Sequence, residues 1–188
     1  GKGDAQWLTA GRGIVHSEMF PLLDQGEPNP VELFQIWLNL PRADKMAEPH
    51  FSMLWADRIP TVRTPDADGR DVAITVYAGR LGEATPPAAP PRSWAIWTIK
   101  LAPGARCELP ACAPTSNRTL YLFRGAEVRF GARAVRPGLA VHVRAGAPTT
   151  LHNGDAEAEL LLLQGRPIGE PIAKYGPFVM NTPAESQQ

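Results

Sequence analysis

The sequence predicts an all-β protein of jelly-roll or closed-barrel architecture, and three observations carry that prediction. Twenty prolines and seventeen glycines are spread through 188 residues between short apolar runs, which suits a protein of many turns and not a helical bundle. Strand-like segments recur at short intervals, each bounded by Gly, Pro, Asn or Asp, and several alternate with the two-residue period of a strand. Only short stretches look helical.

In chain order, AQWLT (residues 5–9) follows a turn-like start, and GIVHSEM (13–19) leaves the glycine-rich GRG, which reads as a turn because no GxGxxG and no helix follow it. VELFQIWLNL (31–40) divides into a core face of Phe34, Ile36, Leu38 and Leu40 and a second face of Leu33, Gln35, Trp37 and Asn39 that is free to line a pocket. PRADKMAEP (41–49) supplies a turn or so of helix. DVAITVYAG (71–79) follows a turn at Asp68-Gly69, and the proline-rich LGEATPPAAPPRS (81–93) reads as an extended linker. WAIWTIKLA (94–102), TLYLFRGAEVRFG (119–131), AVRPGLAVHVRA (134–145) and AELLLLQG (158–165) complete the strands. The apolar IAKYGPFVMNT (172–182) then leads into a helix start with Pro183 in its first turn and Glu185 early in it.

Lysine plus arginine equals aspartate plus glutamate at 19 each, which gives no electrostatic argument for a nucleic-acid surface. No apolar run approaches the roughly 20 residues needed to cross a bilayer, and no secretory signal is visible. These observations make the cytoplasm the expected location, with no membrane contact. Cys107 and Cys112 sit in CELPAC, a spacing that fits neither a CxxC redox pair nor a zinc knuckle, and are expected to be free thiols. The five tryptophans read as core or rim packing.

The chemistry concentrates in GIVHSE. On a strand, side chains two apart leave the same face, so His16 and Glu18 converge on one metal ion if residues 14–19 are extended. A mononuclear ion takes at least three protein ligands, commonly imidazoles with a carboxylate. The other histidines, His50, His142 and His152, form no closely spaced pair and read as surface or hydrogen-bonded side chains. The first residues read as a turn feeding a strand, without an initiating Met, so the chain is expected to be a segment of a longer protein, abrupt at its C-terminus as well.

Taken in order, QWLTAGRGIVHSEM, LFQIWLNLPRADKMAEPHF, the Ile59-Pro60 pair and GRPIGEPIAKYGPFVMNT together resemble the pirin family of the cupin superfamily, over nearly the whole chain. The resemblance implies a bicupin of two tandem jelly-roll barrels, with the N-terminal barrel incomplete here. Residues 1–60 would be the second part of the metal-binding domain, and residues 61–188 a C-terminal cupin domain without metal. It implies one Fe(2+) held by three histidines and a glutamate, of which His16 and Glu18 match positions in this chain. The remaining two, in an HxH motif, would fall before Gly1. It implies a quercetin 2,3-dioxygenase type of activity in the parent, with Glu18 taking the proton of a flavonol-like aromatic substrate and Gln35 and Trp37 lining its pocket. The alternative it carries is an iron- or redox-responsive regulator that binds a protein partner, a transcription factor or a metabolic enzyme. Either would act as a monomer without direct nucleic-acid contact.

Overall fold

The computed structural model describes residues 3–86 and 94–187. Residues 87–93, the greater part of the expected linker, lie outside the described residues. Fourteen strands and three short 3-10 turns make up the described regular structure. The contacts divide the chain into two compact units, one of Gly1–Trp7 with Ser52–Pro167, the other of Leu8–Phe51 with Ile168–Gln188. Strands β1 (Ala5–Thr9) and β2 (His50–Leu54) form a two-stranded sheet.

The first unit is an antiparallel β-barrel built from two sheets. Its strands are β3 (Thr61–Arg63), β4 (Val72–Ala78), β5 (Ala95–Leu101), β6 (Arg106–Leu109), β7 (Asn117–Arg124), β8 (Val128–Phe130), β9 (Arg133–Val135), β10 (Ala140–Arg144), β11 (Thr149–Asn153) and β12 (Ala158–Gly165). Six of them run in the order β10-β7-β12-β5-β4-β3, and four in the order β6-β11-β8-β9. Alternation sets the faces. In β7, Leu120 and Leu122 are shut from solvent while Tyr121 between them is exposed. Register then stacks apolar rows across the larger sheet. Leu122 pairs with Leu160, which pairs with Ile99, which pairs with Ile74; the next row runs Leu120, Leu162, Trp97, Val76. The smaller sheet adds Cys107, Leu109, Val128 and Leu151 to the same core. Asn153 closes the barrel at a loop, its Nδ2 donating to the carbonyls of Leu101, Ala102 and Ala156.

The second unit contains the hairpin β13 (Ala173–Tyr175) and β14 (Phe178–Met180) and has a different interior. Its two buried described residues are Lys45 and Asn181, each 6% exposed. Polar contacts hold it. Glu170 Oε2 accepts from the Arg42 N–H at 2.7 Å and from Asn181 Nδ2 at 3.0 Å, Arg42 pairs with Glu185, and Lys45 Nζ donates to Asn39 Oδ1. The expected C-terminal helix start is a single 3-10 turn, Ala184–Gln187. It is closed by a capping box in which the Glu185 N–H donates to Thr182 Oγ1, while Glu185 Oε2 accepts from the Asn181 and Thr182 N–H groups.

Two sequence expectations are corrected. GIVHSEM and VELFQIWLNL form no strand, and the supposed core face of the latter is not buried, with Phe34 45% and Leu38 43% exposed and Ile36 and Leu40 half-buried. Both segments have strand composition, but no described neighbour supplies a ladder for their backbone groups, and a strand exists only as one side of a pairing. Conversely β6 and β11, short and rich in polar residues, pair with each other because the barrel closes over them.

Candidate functional site

The turn ahead of the His16 segment is fixed by backbone geometry. Gly11 has φ +52° and passes so close to residue 47 that an added Cβ would lie 1.9 Å from the Ala47 carbonyl oxygen, so only glycine fits there. The Arg12 N–H donates to that carbonyl at 3.0 Å, its guanidinium reaches Glu48 Oε1 at 2.7 Å, and the Gly13 N–H returns to the Ala10 carbonyl. GRG is therefore a turn, as its sequence context implied. Beyond it residues 14–23 run without strand pairing, and His16 and Glu18 both face solvent on either side of Ser17. Val15 is 99% and Met19 89% exposed.

The chain is gathered again at Asp24–Asn29. Asn29 Oδ1 accepts from the N–H groups of Leu23 and Asp24, while Asp24 Oδ1 accepts from those of Gly26 and Glu27. Gln35 and Trp37 follow on the unpaired stretch, both exposed, Trp37 at 64%. The structure thus leaves His16, Glu18, Gln35 and Trp37 exposed.

The donor set falls short of a metal centre. Among the described residues no group of three or more His, Cys, Asp or Glu side chains is placed to hold an ion. His16 and Glu18 give two donors at most, below the usual protein complement for iron or zinc. His50 opens β2 and is exposed, His152 lies on β11 and is exposed, and His142 shares a hydrogen bond of 2.8 Å between its Nδ1 and Thr119 Oγ1. Both cysteines are free. Burial, then the neighbouring Glu108 charge, pushes the Cys107 thiol up to about 11, which leaves it a neutral core side chain. Trp7 and Trp94 pack with ring centroids 5.2 Å apart, and Trp97 is buried in the core.

Sequence reasoning missed Arg118. It is 2% exposed, at the start of β7, and lines a cleft of about 530 Å³ with Ser116, His142 and Arg144. The signal was present: positions 118, 120 and 122 share one face of a strand, so Arg118 continues the core-facing series of Leu120 and Leu122.

Comparison with known proteins places these features in a lineage. The family described as "Pirin" matches residues 1–38, and the "Pirin C-terminal cupin domain" matches residues 96–188. A Pseudomonas aeruginosa protein provisionally named as a quercetin 2,3-dioxygenase is 32% identical over 188 residues, covering all of this chain and 64% of its own length. A pirin-like protein of Solanum lycopersicum is 35% identical, covering 99% of this chain and 61% of itself, and Homo sapiens pirin is 31% identical, covering 99% and 62%. The chain spans less than two-thirds of the length of these relatives. Among solved structures, the quercetin 2,3-dioxygenase from Acinetobacter baumannii superposes with a TM-score of 0.76 at 27% identity, over 98% of this chain and 63% of that one. A protein of Geobacillus kaustophilus gives 0.66 at 28% identity, over 89% and 65%. The barrel of the first unit is a cupin barrel, and with both pirin descriptions matched in order and whole-chain identity above 30% to several pirins, the chain belongs to the pirin family.

Proposed function

We propose that this chain is part of a pirin-type, iron-dependent oxygenase of the quercetin 2,3-dioxygenase kind, cytoplasmic and acting on a flavonol-like aromatic. In this reading residues 1–60 are the second part of the metal-binding cupin domain and residues 61–188 form the metal-free one. The observation that carries the proposal is the likeness to the Acinetobacter baumannii quercetin 2,3-dioxygenase across 98% of the chain, joined to the pirin match that spans His16 and Glu18. The chain contributes His16 and Glu18 as two of the ion's ligands, and the set is completed only in the whole protein. Glu18 accepts the proton of the substrate hydroxyl, while Trp37 offers a flat apolar face and Gln35 an amide to the bound ring system. The test is flavonol loss under oxygen by the iron-loaded protein at the full length of its relatives, beside its Glu18→Gln variant. The variant is expected to lose about a hundredfold or more in rate, the usual contribution of a positioned base. Equal rates remove Glu18 from the chemistry.

One observation favours a second reading, a regulator whose iron state biases a docking surface. The side chains around the pair include exposed Val15, Met19, Leu22 and Leu23, an apolar concentration of the kind that marks interaction sites. Iron loading without any flavonol turnover, together with partner affinity that changes on iron oxidation, selects it.

A further inference from the structure

Two rows of charged side chains cross the sheets of the barrel, and they differ in their middle member. On the larger sheet Arg124 stands opposite Glu159, and Glu159 opposite Lys100, across β7, β12 and β5. The carboxylate lies between two cations, and Arg124 Nη1 reaches Glu159 Oε1 at 2.8 Å. On the smaller sheet Arg106 stands opposite His152, and His152 opposite Arg129, across β6, β11 and β8. The residues beside them in each strand, Cys107, Leu151 and Phe130, belong to the core or pack against it, so strand alternation turns all three outward, where they are exposed. The place that a carboxylate holds in the first row is held by an imidazole in the second.

Directly opposed side chains of an antiparallel pair bring their Cβ atoms to about 5 Å, and like charges at that separation repel. Among the described residues neither Arg106 nor His152 has an ion-pair partner. Arg129 meets Glu127 at 3.8 Å, a long contact between side chains 55% and 36% exposed that water screens. Glu108, outward on β6, stands opposite Thr150 and forms no ion pair among the described residues. Asp66 and Asp68 are taken up by Arg70 and by the backbone N–H of Arg106. The second row thus presents exposed cationic groups in register without the negative charge that completes the first.

We propose that the outer face of the smaller sheet docks an acidic, extended segment of a protein partner, whose carboxylates do for Arg106 and Arg129 what Glu159 does for Arg124. Small molecules favour concave sites, whereas this row lies on the open surface of a sheet. Because β11 separates them, the two arginines arise from strands about 10 Å apart, a spacing that suits carboxylates along one chain better than a single small anion. Glu108 and Glu127 at the margins of the row repel a continuous phosphate backbone, while separate carboxylates seat between them. Each guanidinium fork pairs with a carboxylate through two parallel hydrogen bonds, which fixes the position of the segment. The face lies within the first unit and involves neither His16 nor Glu18, so it stands or falls apart from the oxygenase reading.

The experiment is fluorescence anisotropy of a labelled peptide of alternating Glu and Ser, titrated with the full chain at low ionic strength, beside a peptide of Gln and Ser and a labelled oligothymidylate. Saturable binding of the acidic peptide alone is expected, weakened by added salt. Arg106→Gln and Arg129→Gln should each weaken it about threefold, and the two together about tenfold, as the loss of exposed ion pairs demands. His152→Glu, which gives the row a carboxylate of its own, should weaken binding at least as far and raise the thermal midpoint. Arg63→Gln removes one positive charge from β3, in the other sheet, and should leave binding unchanged. Circular dichroism confirms the fold of each variant. Absence of saturable binding by the acidic peptide, tighter binding of the oligothymidylate, or the same loss in Arg63→Gln as in Arg106→Gln overturns the proposal.

Discussion

Asp66 gathers a loop of the first unit onto one carboxylate. Its Oδ1 accepts from the backbone N–H groups of Asp68 and Arg70, each at 2.9 Å, and its Oδ2 from the Arg106 N–H at 2.9 Å and the Arg70 guanidinium at 3.4 Å. The backbone of Arg70, then that of Arg106, holds its carboxyl at about 2, below the ordinary 3.8. A carboxyl lowered by folding binds its proton more readily unfolded than folded. Its contribution is therefore complete above the ordinary value of 3.8 and disappears as pH falls through about 2. Asp66→Asn is expected to lower the thermal midpoint at neutral pH, and the gap from the parent should narrow as the pH is taken down towards the folded value; a gap independent of pH contradicts this. The turn at Asp68-Gly69 was legible in the sequence, because both residue types mark turns, but the reach of Asp66 to Arg106 was not, since the barrel alone brings them together. Arg118 is the same lesson in reverse. Its inward direction follows from strand period, while its lack of a carboxylate partner among the described residues is a fact of tertiary structure.

At the scale of elements, pairing decides what composition only permits. β5, β7 and β12 were readable because their period-two apolar positions meet in register, Leu120 opposite Leu162 and Leu162 opposite Trp97. Removing one member of that row leaves a cavity the rigid sheet cannot collapse. Leu120→Ala is expected to cost about 2–5 kcal/mol by denaturant titration, whereas Tyr121→Ala, on the outer face, should cost clearly less. Comparable losses at the two positions contradict the assigned faces. Residues 13–19 and 31–40 carry equally good strand composition and form none, because pattern reports a preference for a sheet surface without supplying the neighbour. That is also why the inference that His16 and Glu18 share a strand face was available from spacing yet is not realised in the described fold. The C-terminal turn was legible for a local reason: Thr182 and Glu185 stand three apart and cap each other.

Over the whole molecule, the apolar core belongs to one unit. Every residue of the principal cluster, from Val72 to Leu162, lies in the barrel of the first unit, while the second unit buries Lys45 and Asn181 and leaves Val15, Met19, Leu23 and Trp37 to solvent. The barrel was foreseen from dispersed prolines and glycines and from strand period; the polar interior of the other unit was not, because no local pattern announces that apolar residues lack a sheet to cover. The proposed chemistry rests on that second unit, where His16 and Glu18 both face solvent. The most direct measurement is anaerobic titration of Fe(2+) into the protein at the full length of its relatives, with His16→Ala and Glu18→Gln in parallel. The account predicts one ion per chain, with affinity reduced at least about tenfold in each variant, as loss of a ligand demands. Undiminished binding in both variants would contradict it.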